Sequence, residues 1–234
     1  MTGATDRVPP TPAPNPHTPQ PGSRGAQPPG GRSWLALSAV LAGLALTLWL
    51  SAAGTAAATW DWQPGLALTQ PWRWWTAAGV HLSALHLGAN LLGTALVAAL
   101  GAAAGCDARA TLAWAVAWPL TQLGLLVQPA LAHYAGLSGV LHAGVAVAAV
   151  QLIAGELGRR RWIGLALLAG LAAKLLLEAP WQAALRLSPG WDIAVAPLAH
   201  ASGSAAGLLC AVVARRIGRR SQARTAGAPD RRSA

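Results

Sequence analysis

Between Ser33 and Val213 the chain alternates long apolar runs with short polar breaks, and no other feature constrains the fold so tightly. The hydrocarbon core of a bilayer is about 30 Å thick and takes roughly 20 residues of helix to cross. Six segments approach that length: residues 34–57, 78–103, 111–127, 137–154, 162–177 and 196–213. Only 10% of the 234 residues are charged, where a soluble domain has roughly 25%, so lipid rather than water is the expected solvent. The reading is an all-α membrane protein with six transmembrane helices, spanning 33–213. Residues 1–32 hold nine prolines and almost no large apolar side chain, too little to offset chain entropy, and are expected to form a disordered arm. This arm lacks the form of a secretory signal peptide, because the first apolar run begins only near residue 33. Residues 214–234 read as a polar basic tail.

The net charge of +10 invites a nucleic-acid reading until its distribution is traced. Six spans put the N-terminal arm, loops two–three and four–five, and the tail on one side. Fourteen arginines fall there, among them Arg32, Arg109, Arg159, Arg160, Arg161, Arg215 and Arg216. Arg73, Arg186 and Lys174 are the three cations left for the other side. A bias of this kind sets both termini in the cytoplasm. No basic face then remains for nucleic acid. Cys106 and Cys210 are too few for a disulfide scaffold and sit in opposite contexts. Twelve tryptophans fit a chain with many membrane–water boundaries.

A polar group inside a span costs about 2.5–3.5 kcal/mol at its centre, so each one needs an explanation. His81, His86 and Asn90 lie in the second span, Ser138 and His142 in the fourth, and His200, Ser202 and Ser204 in the sixth. Lys174 and Glu178 are four apart in and just beyond the fifth, spacing that suits a pair on one helix face. Gln122 and Gln151 read as interhelical hydrogen-bonders. With the topology above, spans two, four and six all start at the outer face. At about 1.5 Å per residue, His86, Ser138 and His200 come to the same half of the bilayer.

Ser138 stands in Gly136-Leu137-Ser138-Gly139 at a helix start. Glycines there permit a sharp turn and close approach of another backbone. Free N–H groups of a helix N-terminus suit a developing oxyanion. His200 is followed by Gly203 and Gly207, a GxxxG face on which membrane helices pack closely. An imidazole delivered by that face would activate the serine as a nucleophile. No Asp or Glu lies in the outer half of spans two, four or six, which points to a Ser–His dyad. Blander readings stand beside this one. A membrane serine commonly bonds its own backbone, GxxxG is commonly packing alone, and His86 with Asn90, or His142 alone, can serve a helix–helix contact. A haem or metal protein ligated by His81, His86, His142 and His200 is a further alternative, although a zinc-protease HExxH motif is absent.

Three stretches, WRWWTAAGVHLSALHLGANLLG (72–93), GLSGVLHAG (136–144) and AHASGSAAGLL (199–209), resemble the rhomboid family of intramembrane serine proteases. The resemblance covers roughly residues 60–213, in the family's order and spacing. It implies a six-helix rhomboid-like core and a Trp-Arg pair in a lateral loop, here Trp72 and Arg73. It makes Ser138 the nucleophile and His200 the base, with His86, Asn90, His81 and His142 in support and Gly136, Gly139, Gly203 and Gly207 structural. No cofactor or metal is implied. Many rhomboids have a tyrosine four residues after the serine; His142 at that place, with the compact length, resembles the rhombosortase branch. That branch implies a bacterial cytoplasmic (inner) membrane enzyme whose partners are the lipid bilayer and exported transmembrane substrates, anchored C-terminally through a Gly-rich motif, a helix and basic residues. A rhomboid-like protein that binds helices without cutting them is the non-catalytic alternative.

Overall fold

The structure, a computed structural model, describes residues 31–51, 57–155 and 158–226, with side chains to residue 221. The arm expected over 1–32 and the end of the basic tail therefore lie almost wholly, or partly, outside the described residues. Eight α-helices occur among the described residues: α1 Arg32–Ser51, α2 Ala57–Trp60, α3 Arg73–Thr76, α4 Ala84–Ala104, α5 Ala108–Leu123, α6 Ser138–Ala154, α7 Gly158–Glu178 and α8 Pro197–Ala226. No β-strand is among them; two isolated bridges join Trp62 to Tyr134 and Arg186 to Val195. Four helical segments are long and apolar enough to cross a membrane, Arg32–Ser51, Ala84–Ala104, Ala108–Val127 and Pro197–Ser221, and α6 is apolar but shorter.

Where helix ends differ from the hydropathy limits, local chemistry explains it. The second apolar run opens at residue 78, yet α4 starts at Ala84, because the Ser83 side chain caps it by accepting from the His86 N–H at 3.0 Å. His81 consequently lies in the extended segment before the helix rather than in a span. Gly105 ends α4 in the left-handed conformation at φ 70°, and Asp107 caps α5 by accepting from Ala110 N–H at 2.9 Å. Helix α7 takes the arginine run 159–161 into its first turns. Helix α8 continues thirteen residues past Val213, to Ala226, so the start of the expected tail is helical.

Helix α6 is the hub. It packs against α4, α5, α7 and α8, and ten of its 17 residues are buried. The seam with α8 is set by small residues. A Cβ on Gly203 would fall onto the Gly139 carbonyl oxygen, and one on Gly207 onto that of Ala143. Backbone approach this close is available only where side chains are absent. Buried tryptophans fasten the remaining helices. Trp34 of α1 donates its indole N–H to the Val97 carbonyl of α4 at 3.0 Å, and Trp114 of α5 donates to the Val140 carbonyl of α6 at 2.8 Å. Their rings meet with centroids 4.4 Å apart. These residues serve as interior anchors rather than as a membrane–water belt, since an indole can bury its ring when its N–H finds an acceptor.

Candidate active site

Helix α6 has 17 residues and so rises only about 25 Å. Its first residue, Ser138, is half-buried. Gly136 makes the entry turn at φ +125°, a conformation that side chains resist. A Cβ there would also lie 2.6 Å from His86 Nε2. Leu137 at the N-cap of α6 makes no side-chain cap; the Tyr134 hydroxyl instead lies against the Ser138 side chain and the Gly139 N–H. Gly139 lets α8 approach: a Cβ at that position would be 2.7 Å from the Ala199 carbonyl oxygen.

That approach brings His200 to Ser138. The serine Oγ lies 2.9 Å from His200 Nε2, although the two residues are 62 apart in the chain. The other ring nitrogen, Nδ1, is 2.7 Å from Glu178 Oε2 at the end of α7. A carboxylate only accepts, so Nδ1 carries the proton and Nε2 of the neutral ring is left to accept from the serine hydroxyl. His142, one turn along α6, donates Nδ1–H to the Ser138 carbonyl at 2.7 Å and stacks on His200, with ring centroids 4.2 Å apart and planes 12° from parallel.

The α4 residues form a second group against Gly136. His86 Nε2 and Asn90 Nδ2 both face that glycine, and Asn90 donates to the His86 carbonyl at 3.1 Å. His81 packs its ring on His86 at 4.8 Å between centroids; its Nδ1 meets the Gly79 carbonyl at 3.1 Å and its Nε2 has no partner among the described residues. The loop pair is separate from both groups. Trp72 is exposed, whereas Arg73 is buried and its guanidinium donates to the Asp61 carboxylate at 3.0 Å, to the carbonyls of Asp61 and Ala58, and to Gln70. Asp61 also holds His133 at 2.7 Å, and Trp62 pairs with Tyr134. Arg73 thus ties α2 and the residue after it to the segment that delivers Gly136. Tyr134, buried in that segment, donates its hydroxyl to the Gly136 carbonyl at 3.0 Å, and burial pushes its phenol up to about 12. It stays a neutral strut.

Two features escape sequence reasoning. Glu178 does form the expected pair with Lys174, through Oε1, but a search for a carboxylate on spans two, four and six misses its second partner, His200. Of the two glutamines, Gln151 bonds Arg215 and the Gly105 carbonyl, while buried Gln122 has no partner among the described residues.

A helical integral membrane protein with a serine and a histidine joined at one end of its bundle is the class that these features define. The family model described as Rhomboid domain matches residues 68–217, nearly two thirds of the chain, including Trp72, Arg73, Ser138 and His200. The chain belongs to the rhomboid family, a family of intramembrane proteases that act on transmembrane substrates within the bilayer. A comparison with curated proteins gives no match.

Proposed function

We propose that this protein is an intramembrane serine endopeptidase of the rhombosortase-like branch, with Ser138 as nucleophile and His200 as general base. The 2.9 Å approach of Ser138 Oγ to His200 Nε2 carries the reading. In the first step Nε2 takes the hydroxyl proton as Oγ attacks the scissile carbonyl carbon. The resulting oxyanion is met by the backbone N–H of Ser138 at the start of α6, with His86 and Asn90 as side-chain donors. Each such donor is worth about 2.7–4 kcal/mol in the barrier. The imidazolium then passes its proton to the leaving amine nitrogen as the C–N bond breaks. Water, deprotonated by the same nitrogen, hydrolyses the acyl-enzyme.

The fuller reading has six spans, both termini in the cytoplasm of a bacterial cell, and the site near the outer face. Arginine placement supports it: Arg109, Arg160, Arg215 and Arg219 all sit at the end of the bundle away from Ser138. Substrate segments inside a regular helix shield their peptide bonds, so a Gly-rich stretch that unwinds readily suits the site. A histidine at 142, where many rhomboids have a tyrosine, together with the compact length supports the rhombosortase-like assignment. Co-expression with C-terminally anchored exported proteins tests the proposal. Wild type should release them from their anchor, and Ser138→Ala should leave them intact at equal expression; release by Ser138→Ala contradicts it.

A further inference from the structure

We propose that Glu178 is a positioning residue of this site, so that Ser138, His200 and Glu178 act as a triad rather than a dyad; this rests on His200 being the base. Glu178 Oε2 and Ser138 Oγ take opposite nitrogens of one imidazole, at 2.7 and 2.9 Å. A carboxylate on Nδ1 selects the tautomer whose Nε2 can receive a proton. It also compensates the imidazolium that forms when the serine attacks. The proton that leaves Ser138 goes to Nε2 and then to the leaving nitrogen, while Glu178 keeps its charge throughout.

The surroundings of Glu178 hold it for this task. Its side chain is 21% exposed and that of His200 is 7%, so their contact is shielded. Lys174 takes the other oxygen, Oε1. Arg186 donates to the carbonyls of Leu177 and Glu178, both at 3.2 Å, and fastens the last turn of α7. The next residue, Ala179, is the one non-glycine residue with positive φ, 45°, among those described. Strain of that kind persists only where neighbours over-determine it. It turns the chain abruptly after the carboxylate, ending α7 level with His200. The His142 stack, 12° from parallel, fixes the imidazole plane from one face.

Among the described residues, the charged and titratable groups around His200 are Glu178 and Lys174 from α7, Arg186 and Asp192 from the loop that follows it, His142 from α6, His86 from α4 and, across Ser138, Tyr134. Glu178 and Lys174 act on the imidazolium with opposite sign, which gives a test that packing alone would not pass. The rate of fluorophosphonate labelling of Ser138 is measured on the purified full-length protein from about pH 5 to about pH 9. Glu178→Gln should slow labelling on the order of 10²–10⁴-fold and move its acid limb to lower pH. Lys174→Met should move that limb to higher pH. An acid limb that stays in place in both variants overturns the proposal, whatever the rate. Should Glu178→Gln not fold, ¹⁵N-histidine spectra of the wild type decide. A proton on His200 Nδ1 supports the triad, and one on Nε2 overturns it. Wild type that takes no label at any pH defeats the serine-protease reading itself, whereas labelled wild type with unshifted variants defeats the triad alone.

Discussion

At one end of the bundle Ser138, His200, Glu178 and His142 bond or stack on one another across three helices. At the other, Arg160 bonds the Ala103 carbonyl, and Arg215 reaches the Gln151 amide and the Ala154 carbonyl at 3.3 and 3.4 Å. Both ends are polar, but their demands on the fold differ. Side chains that bond one another across helices need those helices in one register. Long guanidinium stems that reach helix-end carbonyls and water tolerate shifts of an ångström or more. The small-residue seam of α6 and α8 runs towards the first end, with Gly139 and Gly203 in backbone contact beside the serine. Precision is concentrated where chemistry is expected.

The comparison breaks most visibly at His200. His200→Asn removes the imidazole bonded to Ser138, the proposed base, and cleavage should fall on the order of 10⁴-fold or more, read with an anchored substrate. The two ends also differ in their nucleophiles. Cys106, in the loop between α4 and α5, is buried beside Asp107, and burial with that neighbouring charge pushes its thiol up to about 12 from 9.0. Only the thiolate alkylates, so near neutral pH its reactivity should be about 10³-fold below that of an open thiol. Iodoacetamide should modify Cys106 in the SDS-unfolded chain and spare it in the folded one.

The seam comes next. Gly203→Ala forces α8 away from the Gly139 carbonyl. A displacement of about 1 Å at the site costs roughly 10²-fold in rate, so this variant should insert and fold yet cleave poorly. Arg73→Ala leaves Asp61, 6% exposed, without its main counter-charge. Breaking a buried pair costs about 3 kcal/mol, and thermal unfolding in detergent should show that loss, with cleavage reduced only as the Gly136 segment loosens. At the arginine end, exposed Arg216→Gln should change stability by less than about 0.5 kcal/mol and leave the cleavage rate unchanged. A large effect there would erase the contrast between the two ends.

Much of this arrangement is legible in the sequence, for identifiable reasons. Apolar runs locate the long helices because lipid imposes their length, and the GxSG serine and the histidine with its two glycines stand out because lipid penalises polar groups. Hydropathy does not see the Ser83 cap, so it assigns His81 to a helix that begins three residues later. It gives Arg73 no partner, since Asp61 looks like any loop carboxylate until the loop folds back. Glu178 is the instructive omission. Its spacing from Lys174 accounts for it locally, and nothing local reveals that α7 ends against the first turn of α8, 22 residues later. Contacts set by tertiary approach, rather than by periodicity, are the ones a linear reading loses.

The proposed function requires that His200 make Ser138 nucleophilic. Labelling the purified protein with a fluorophosphonate and mapping the adduct by mass spectrometry tests it most directly. The adduct should fall on Ser138 alone and vanish in His200→Asn. An adduct on another serine, no adduct on the folded wild type, or unchanged labelling of Ser138 in His200→Asn would contradict the account.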